Sequence, residues 1–417
     1  MSIATEITRL QGAKSSLKTS IENKGVTVPS STKLDGYSAL VDQISTGATE
    51  APENDVNFYD YDGFRVASYT ITEAKALTAL PTPPTHEGLT FQEWNWSLAD
   101  IQGYNRRYID IGANYIPTDG ATHFKVVIPD DDLDTKMYIN GKAGTLVIDW
   151  GDNTTSSNAF TNEARVTFTH TYASGGRYDI KFTFTQSDST GFWTTYNKNI
   201  ASSWSGNIFY EEIWCGNYFD LSALNSVANS GVILLAISKN TPSNFITGTG
   251  TRIIQINYPK NNTIDYSVKT VPVSTGRMCF PKSIVSLSAS TVLNGFIASR
   301  LILPEWSDNS VLNDNALRNA YYVSVLSLPS CCQFSTGNAT FQNFYALKAI
   351  DIVQGWTPAT SLSFSYSTFL PAGAMVDFFN KLGTTTNAIT LTFGSTNLGK
   401  LSADEKAIAT NKGYTLA

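Results

Sequence analysis

The groups in this sequence that could do acid–base chemistry are carboxylates and a few histidines. The 417 residues include only three histidines, His86, His123 and His170. Imidazole is the commonest general base near pH 7, so this scarcity argues against an enzyme. His170 alternates with Phe168 and Tyr172 along a predicted strand, and we expect it to be a core histidine without a catalytic role.

Carboxylates would therefore have to carry any catalysis. Glycoside cleavage needs two carboxylates roughly 5 to 9.5 Å apart, and the acidic residues close to aromatic ones are the candidates. They are Glu93, Glu211, Glu212 and Glu305. Sequence spacing does not set that distance, so a glycan depolymerase stays open as an alternative. We predict no catalytic residue, because no nucleophile elbow, Gly-rich phosphate loop or Cys/His constellation is present.

Metal and cofactor chemistry has no motif either. The acidic clusters that could offer oxygen ligands to calcium do not match an EF-hand, and each lies at a predicted turn, where Asp bonds to nearby backbone. They are Asp60 with Asp62, Asp130 to Asp132 with Asp134, and Asp149 with Asp152. The cysteines at 215, 279, 331 and 332 have no metal-ligand spacing and are expected to be buried free thiols. We expect no metal and no cofactor.

The charge balance excludes two further classes of partner. Only 15% of residues are charged and the formal net charge is −6, which gives no basic footprint for nucleic acid or an anionic membrane. No run of about 18 apolar residues is present, so no membrane insertion is expected. The first residues lack the apolar stretch of a signal peptide, which favours synthesis and folding in a cytoplasm, with cell lysis as another route out.

The elements begin with a helical segment, residues 1–46, that differs from the rest. Its apolar residues follow alternating four- and three-residue steps if Lys14 fills one place, which predicts a short heptad seam. The seam consists of Ile3, Ile7, Leu10, Leu17 and Ile21. The helix should end at Asn23-Lys24-Gly25, and a second should run from Asp35 to Ile44 with Tyr37, Leu40, Val41 and Ile44 inward. Such helices are marginal alone, so the pair either packs on its own chain or docks on another subunit. We favour docking or oligomerisation.

The remaining chain predicts a mainly β, multidomain protein. Residues 47–122 form a small α+β module, with a hairpin from Phe58 to Thr70, a helix capped by Thr72 and a buried pair, Trp94 and Trp96. Residues 123–204 alternate as four strands of a two-sheet sandwich. Residues 205–417 carry apolar dyads with a mean spacing of about 26 residues, which lies in the leucine-rich-repeat range. The dyads are Leu235/Ile237, Ile254/Ile256, Val285/Leu287, Leu301/Leu303, Leu326/Leu328, Ile350/Ile352 and Leu391/Phe393.

The C-terminal end of this predicted solenoid has its own cap. Ser402 and Glu405 form a capping box that opens a helix through Asn411, and Gly413 closes it. An earlier helix should run from Ala372 to Leu382 and stop at Gly383. The sheet face of the solenoid is the expected binding face, although strand register decides which residues point outward, so the ligand-binding residues stay unknown.

Three stretches resemble known modules. LQGAKSSLKTSIENKGVTVPSSTKLDGYSALVDQI resembles the N-terminal segment of bacteriophage tail-fibre and baseplate-type proteins. LPTPPTHEGLTFQEWNWSLADI and the C-terminal LTFGSTNLGKLSADEKAIATNKGYTLA are similar to modules shared by those proteins and by leucine-rich-repeat surface proteins of gut bacteria. IDWGDNTTSS with FTHTYASGGRYDIKFTF resembles a PKD-like sandwich, with Asn153 in the last place of its W-G-D-G turn.

The resemblance implies a structural component of a phage virion, a tail fibre or baseplate-associated protein. Its N-terminal helices would attach it to other virion proteins or make a homo-oligomer, and its β-rich arm would contact a host-surface glycan or protein. A head-attached decoration fibre, a bacterial surface adhesin and a virion glycan depolymerase are the alternatives. An adhesin should carry a signal peptide and a wall anchor, and neither is found in the sequence.

Overall fold

The computed structural model describes most of the chain and shows a mainly β protein with several sheets and a few helices, as expected. The described residues are 3–22, 28–37, 53–141, 144–161, 164–185, 193–195, 209–217, 219–220, 232–239, 252–260, 276–285, 293, 295–307, 311–313, 316–335 and 341–417. Contacts divide the chain into two units, Met1–Ala51 and Pro52–Ala417. No helix within the described ranges is long and apolar enough to cross a membrane.

The first unit contains one long helix, α1 (Ile3–Glu22), and a 3-10 turn at Leu34–Gly36. Ile21 is buried together with Val28 and Tyr37, so the end of the seam packs on its own chain. These partners lie within residues 1–46, and the docking of the seam on another subunit stays a prediction. The predicted helix end at 23–25 and the predicted inward residues Leu40, Val41 and Ile44 lie outside the described residues.

The second unit begins with a four-stranded sheet and two short helices. Its strands have the order β2-β1-β4-β3. The elements are β1 (Val56–Tyr59), β2 (Arg65–Tyr69), α2 (Ile71–Lys75), β3 (Leu89–Trp94), α3 (Leu98–Gln102) and β4 (Ile109–Pro117). The hairpin and the burial of Trp94 and Trp96 were expected. The predicted Thr72 cap is wrong, because Thr70 and Glu73 form the capping box.

The next strands match the predicted alternation from Phe124 to Phe184 and add two strands that were not predicted, β6 and β8. They are β5 (Thr122–Ile128), β6 (Asp134–Gly141), β7 (Gly144–Asp149), β8 (Thr155–Phe160), β9 (Ala164–Thr171) and β10 (Gly176–Thr185). Strands β5, β10, β7 and β8 are neighbours in one sheet, and β6 pairs with β9 in another. Buried residues of both sheets enter one hydrophobic core, which explains the single apolar face of each strand.

The later strands pair with one another in parallel, while β11 and β12 also pair antiparallel with β6 and β5. They are β11 (Trp193–Thr195), β12 (Phe209–Trp214), β13 (Phe219–Asp220), β14 (Val232–Ala236), β15 (Arg252–Ile253), β16 (Ile256–Asn257), β17 (Met278–Cys279), β18 (Ser283–Ile284), β19 (Arg300–Ile302), β20 (Glu305–Trp306), β21 (Val325–Leu328), β22 (Ala349–Ile352), β23 (Leu362–Ser363), β24 (Ile389–Thr392) and β25 (Tyr414–Leu416). The helices are α4 (Ala372–Lys381), α5 (Gly394–Leu398) and α6 (Ala403–Thr410). The capping box of α6 forms as expected.

The apolar dyads supply much of the core beneath these strands. Most are buried as expected, namely Leu235/Ile237, Leu301/Leu303, Leu326/Leu328, Ile350/Ile352 and Leu391/Phe393. The pair Ile254/Ile256 was misplaced, since Ile253 and Ile256 are the buried residues. Leu287 lies outside the described residues. The buried pairs Met278/Phe280 and Leu362/Phe364 were missed.

The segments predicted as separate domains are physically joined. Strand β12 pairs with β5 on one side and with β14 on the other, so one seven-stranded sheet has the order β15-β14-β12-β5-β10-β7-β8. One hydrophobic cluster extends from Phe124 to Tyr414. The boundaries at 122/123 and 204/205 stay predictions.

The outer face of several parallel strands is covered by β4 and its neighbours. Asn257, Ser327 and Asp351 point away from the apolar core and are nonetheless buried. Asn257 Nδ2 donates to the Ala113 carbonyl at 2.9 Å, and Ser327 Oγ accepts from Arg106 at 3.0 Å. A Cβ on Gly112 would lie 2.3 Å from Asn257 Cγ, so β4 needs glycine there. The expectation that this sheet face is the binding face is wrong for these strands.

Candidate functional site

A cleft of the second unit lies between the β1–β4 module and the seven-stranded sheet. Its volume is about 720 Å³. The module and the following segment contribute Tyr61, His86, Glu87, Gly88, Thr118 and Asp119, and the sheet contributes His123, Lys125, Asp179, Lys181, Glu212 and Trp214. Two of the three histidines therefore meet in one place, which the sequence pattern did not indicate.

His123 is held at the start of β5 by two carboxylates. Its Nδ1 lies 3.0 Å from Asp179 Oδ2, and its Nε2 lies 3.0 Å from Asp119 Oδ1. Burial lowers the pKa of His123, but the bonds to Asp179 and Asp119 outweigh it, so the net pKa is raised. Burial acts against ionisation of Asp119 too, and the bond from His123 reverses the effect and lowers its pKa. Both ring nitrogens of His123 face a carboxylate oxygen, and both can donate when the imidazole is charged.

His86 forms the second imidazole–carboxylate pair. Its Nε2 lies 2.7 Å from Asp60 Oδ2, and this bond raises the pKa of His86. The ring is also edge-on to Tyr61 and Tyr115, with centroids 5.0 and 5.2 Å away. Asp60 is buried at the turn after β1, so the pair ties the segment before β3 to that turn. The predicted reading of Asp60 and Asp62 as turn residues fits this geometry, since Asp62 Oδ1 accepts from Phe64 N.

Glu212 is the centre of the third group. Its Oε1 accepts from the Tyr61 hydroxyl at 2.7 Å and from Trp214 Nε1 at 2.5 Å. Lys125 Nζ lies 3.5 Å from Glu212 Oε2 and 3.5 Å from the centroid of the Trp214 ring. Burial first, and then the bond to Glu212, raises the pKa of Tyr61. A Cβ on Gly88 would lie 3.0 Å from the Trp214 ring, so the two sides of the cleft are in close approach.

These hydrogen bonds and ion pairs connect the β1–β4 module to the seven-stranded sheet. His123, His86 and Glu212 each bond a group on another element. Glu93, Glu211 and Glu305 are not among the lining residues. Glu211 pairs instead with Arg177, and Glu305 accepts from Ser330. The bonded side chains of the cleft therefore hold its two sides together.

The remaining predicted chemical groups are also accounted for in the described part of the chain. Three of the four cysteines are buried and Cys331 is half-buried, and all four are free. Burial raises the pKa of Cys331 to about 12, which leaves an inert thiol. Asp152 bonds Thr154 and His170, and His170 stacks on Trp150 with centroids 4.8 Å apart. Among the described residues, no group of three or more His, Cys, Asp or Glu side chains could hold a metal ion.

The predicted docking residues lie on α1 and are partly exposed. Ile7, Leu10 and Leu17 have exposed fractions of 50%, 47% and 38%, whereas Ile21 is buried. Lys14, at the polar position of the seam, lies with its Nζ 5.8 Å from the Tyr37 ring centroid. The side chain of Ile3 lies outside the described set. The seam thus has an exposed part, Ile7, Leu10 and Leu17, which we call the open seam.

Comparisons of the chain with protein-family models, with curated proteins and with solved structures gave no match.

Proposed function

We propose that the protein is a structural component of a phage particle, a tail-fibre or baseplate-associated protein that self-associates through its N-terminal helix and presents a β-rich body to the host surface. The open seam carries the proposal. Three large apolar side chains on one stripe of a 20-residue helix stay exposed to water, although burying each would stabilise the chain by about 1.5–3 kcal/mol.

The seam fits a second copy of the same helix. In heptad terms Ile7 occupies an a position and Leu10 and Leu17 occupy d positions, with Lys14 at the next a position. Ile21, at the a position after Lys14, is buried against its own chain. Ile at a with Leu at d favours a two-stranded parallel coiled coil, and a polar residue at one a position fixes the register. In a parallel dimer the β-rich parts of both chains would follow the same end of the paired helices. This arrangement suits a fibre that is attached at its other end.

The sequence resemblances support the fold that goes with this role. The Trp150-Gly151-Asp152-Asn153 turn supports a PKD-like sandwich, since Gly151 and Asn153 have φ of 79° and 69° as such a turn requires. Repeated parallel pairing supports a leucine-rich-repeat-like array, because Ser327 bonds Asp351 at a separation of 24 residues.

The oligomeric state of the full chain tests the proposal. Changing Ile7, Leu10 and Leu17 together to Gln keeps helix propensity and removes the apolar stripe. We expect sedimentation equilibrium to show a dimer for the wild type and a monomer for this variant. The matched control, Ser15→Gln with Ser16→Gln, changes the other side of α1 and should stay dimeric. A monomeric wild type would reject self-association.

The particle role needs its own measurement. A labelled wild-type chain should be incorporated into phage particles, and the open-seam variant should not be. Normal incorporation of that variant would contradict attachment through α1, whatever its oligomeric state.

A further inference from the structure

A row of exposed tyrosine rings runs across the C-terminal parallel strands. Tyr321, Tyr345 and Tyr366 have exposed fractions of 44%, 43% and 40%. The rings of Tyr321 and Tyr345 are stacked with centroids 5.9 Å apart, and Tyr345 and Tyr366 are edge-to-face at 6.1 Å. Tyr322 and Phe369, next in the chain to this row, are exposed by 64% and 70%.

The pairing of the strands produces the alignment. Val325 of β21 is the register partner of Ala349 of β22, and Tyr321 and Tyr345 stand four residues before them. The turns before β21 and β22 therefore place the rings of Tyr321 and Tyr345 side by side, and Tyr366, three residues after β23, adds the third ring. Core packing does not require this, because the residues that fill the interior of the same turns are other ones, such as Val323 and Leu347, which are fully buried.

Fixed amide groups flank the rings. Asn343 Nδ2 donates to Asn319 Oδ1 at 2.7 Å, and the Tyr345 hydroxyl donates to Asn343 Oδ1 at 2.8 Å. Asn319 and Asn343 both have positive φ, at 61° and 68°, a conformation that Asn tolerates better than most residues. Gln342 reaches the Tyr366 hydroxyl at 3.5 Å, and Arg318 bonds the Gln342 side chain. The polar groups are thus held in place before any ligand arrives, which lowers the entropy cost of binding.

We propose that this tyrosine row, Tyr321, Tyr345 and Tyr366 with Asn319, Asn343 and Gln342, binds a neutral polysaccharide. The inference rests on the proposed host-surface role and names its ligand class. Sugar rings offer apolar C–H faces that pack on aromatic faces, and their hydroxyls both donate to and accept from amides. A polymer with a short repeat matches rings that recur once per structural unit.

Other ligand classes fit the row less well. Single-stranded nucleic acid also stacks on aromatic rows, but it needs a positively charged groove, and this chain has a net charge of −6. Protein interfaces concentrate their binding energy in a few desolvated pockets, whereas these rings are spread along a line and are about two-fifths exposed.

Affinity electrophoresis of the full chain tests the inference. The probes are dextran, mannan, starch and xylan, each cast into a native gel, with oligothymidylate and hyaluronan as anionic probes. We expect at least one neutral polysaccharide to retard the wild type. Tyr345→Ala, which removes the central ring, should weaken that binding about tenfold or more. Tyr345→Phe keeps the ring and should retain most of it.

Phe209→Ala is the matched control, since Phe209 is an aromatic residue of similar exposure on β12, outside the row. It should bind as the wild type does. Retardation by none of the neutral polysaccharides, or only by an anionic probe, would overturn the inference, as would equal binding by Tyr345→Ala. Running the open-seam variant on the same gels separates the two proposals, because it keeps the row while losing self-association.

Discussion

The three histidines of this chain act as hydrogen-bonded cross-links, and their partners are all aspartates. His123 bridges Asp119 and Asp179, His86 meets Asp60, and His170 meets Asp152. A buried imidazole that keeps a carboxylate partner is favoured in its charged form. Each histidine thus bonds at least one aspartate through a ring nitrogen.

The two histidines of the cleft make stability depend on pH. The folded-state pKa values of His86 and His123 are raised, so their contribution is fully present below the unfolded value of about 6.5 and is lost as pH rises through the folded values. We expect the urea midpoint to fall as pH increases above about 6.5. His123→Gln should lower the free energy of unfolding by about 1–3 kcal/mol at pH 6. It should also make the urea midpoint depend less steeply on pH.

Trp214→Phe provides the comparison for that experiment. It removes the indole bond to Glu212 in the same cleft without changing a histidine. It should lower the free energy of unfolding, while the urea midpoint should vary with pH as steeply as it does in the wild type. A His123→Gln slope as steep as that of Trp214→Phe would rule out His123 as the titrating group.

At the scale of elements, β4 is the strand that sequence reasoning missed. The stretch from Ile109 to Pro117 lacks a clean alternation because it is buried on both faces, and Asp110 and Asn114 point toward the parallel strands. Asn114 Nδ2 donates to the carbonyls of Ile237 and Asn257. Polar residues in a sequence usually indicate a loop, so a buried strand that contains them is easily missed. Their burial is explained by hydrogen-bond partners that are distant in the sequence.

The strongest link between β4 and the parallel strands is the pair Asp110–Arg300. The side chains are 3% and 4% exposed, with Arg300 Nε 3.0 Å from Asp110 Oδ1. Arg300 also donates to the carbonyls of Asn54 and Asp55. Arg300→Met leaves an uncompensated buried carboxylate, so we expect a loss of about 3–5 kcal/mol in the free energy of unfolding.

Calorimetry or urea titration measures that loss of stability. A double-mutant cycle shows how much of it comes from the interaction between Asp110 and Arg300. Adding Asp110→Asn to Arg300→Met should cost less than the sum of the single changes, because the second change removes the stranded charge. Arg177→Met breaks the exposed pair with Glu211 and should leave the midpoint unchanged. Additive costs in the cycle would mean that the two side chains do not interact.

For the whole molecule, local patterns predicted the elements better than their assembly. Period-two alternation identified β5, β7, β9 and β10, and Asn153 adopted the left-handed conformation expected of its turn. The histidine cleft was not foreseen, because Asp179 reaches His123 only when β10 pairs with β5. The tyrosine row likewise depends on register, which fixes the rings of different units at one edge.

The joined sheets lead to one last expectation about the second unit. The module of β1–β4 is bonded to the parallel strands through Asn95, whose Nδ2 donates to the carbonyls of Tyr258 and Cys279, and through the Arg300 cluster. Separating it would expose these buried groups without partners, at about 1–3 kcal/mol each. In urea, tryptophan fluorescence and the labelling of the buried Cys279 and Cys332 thiols should therefore report coincident transitions. Thiol labelling at lower urea than the fluorescence change would instead show that the parallel strands open independently, as separate modules would.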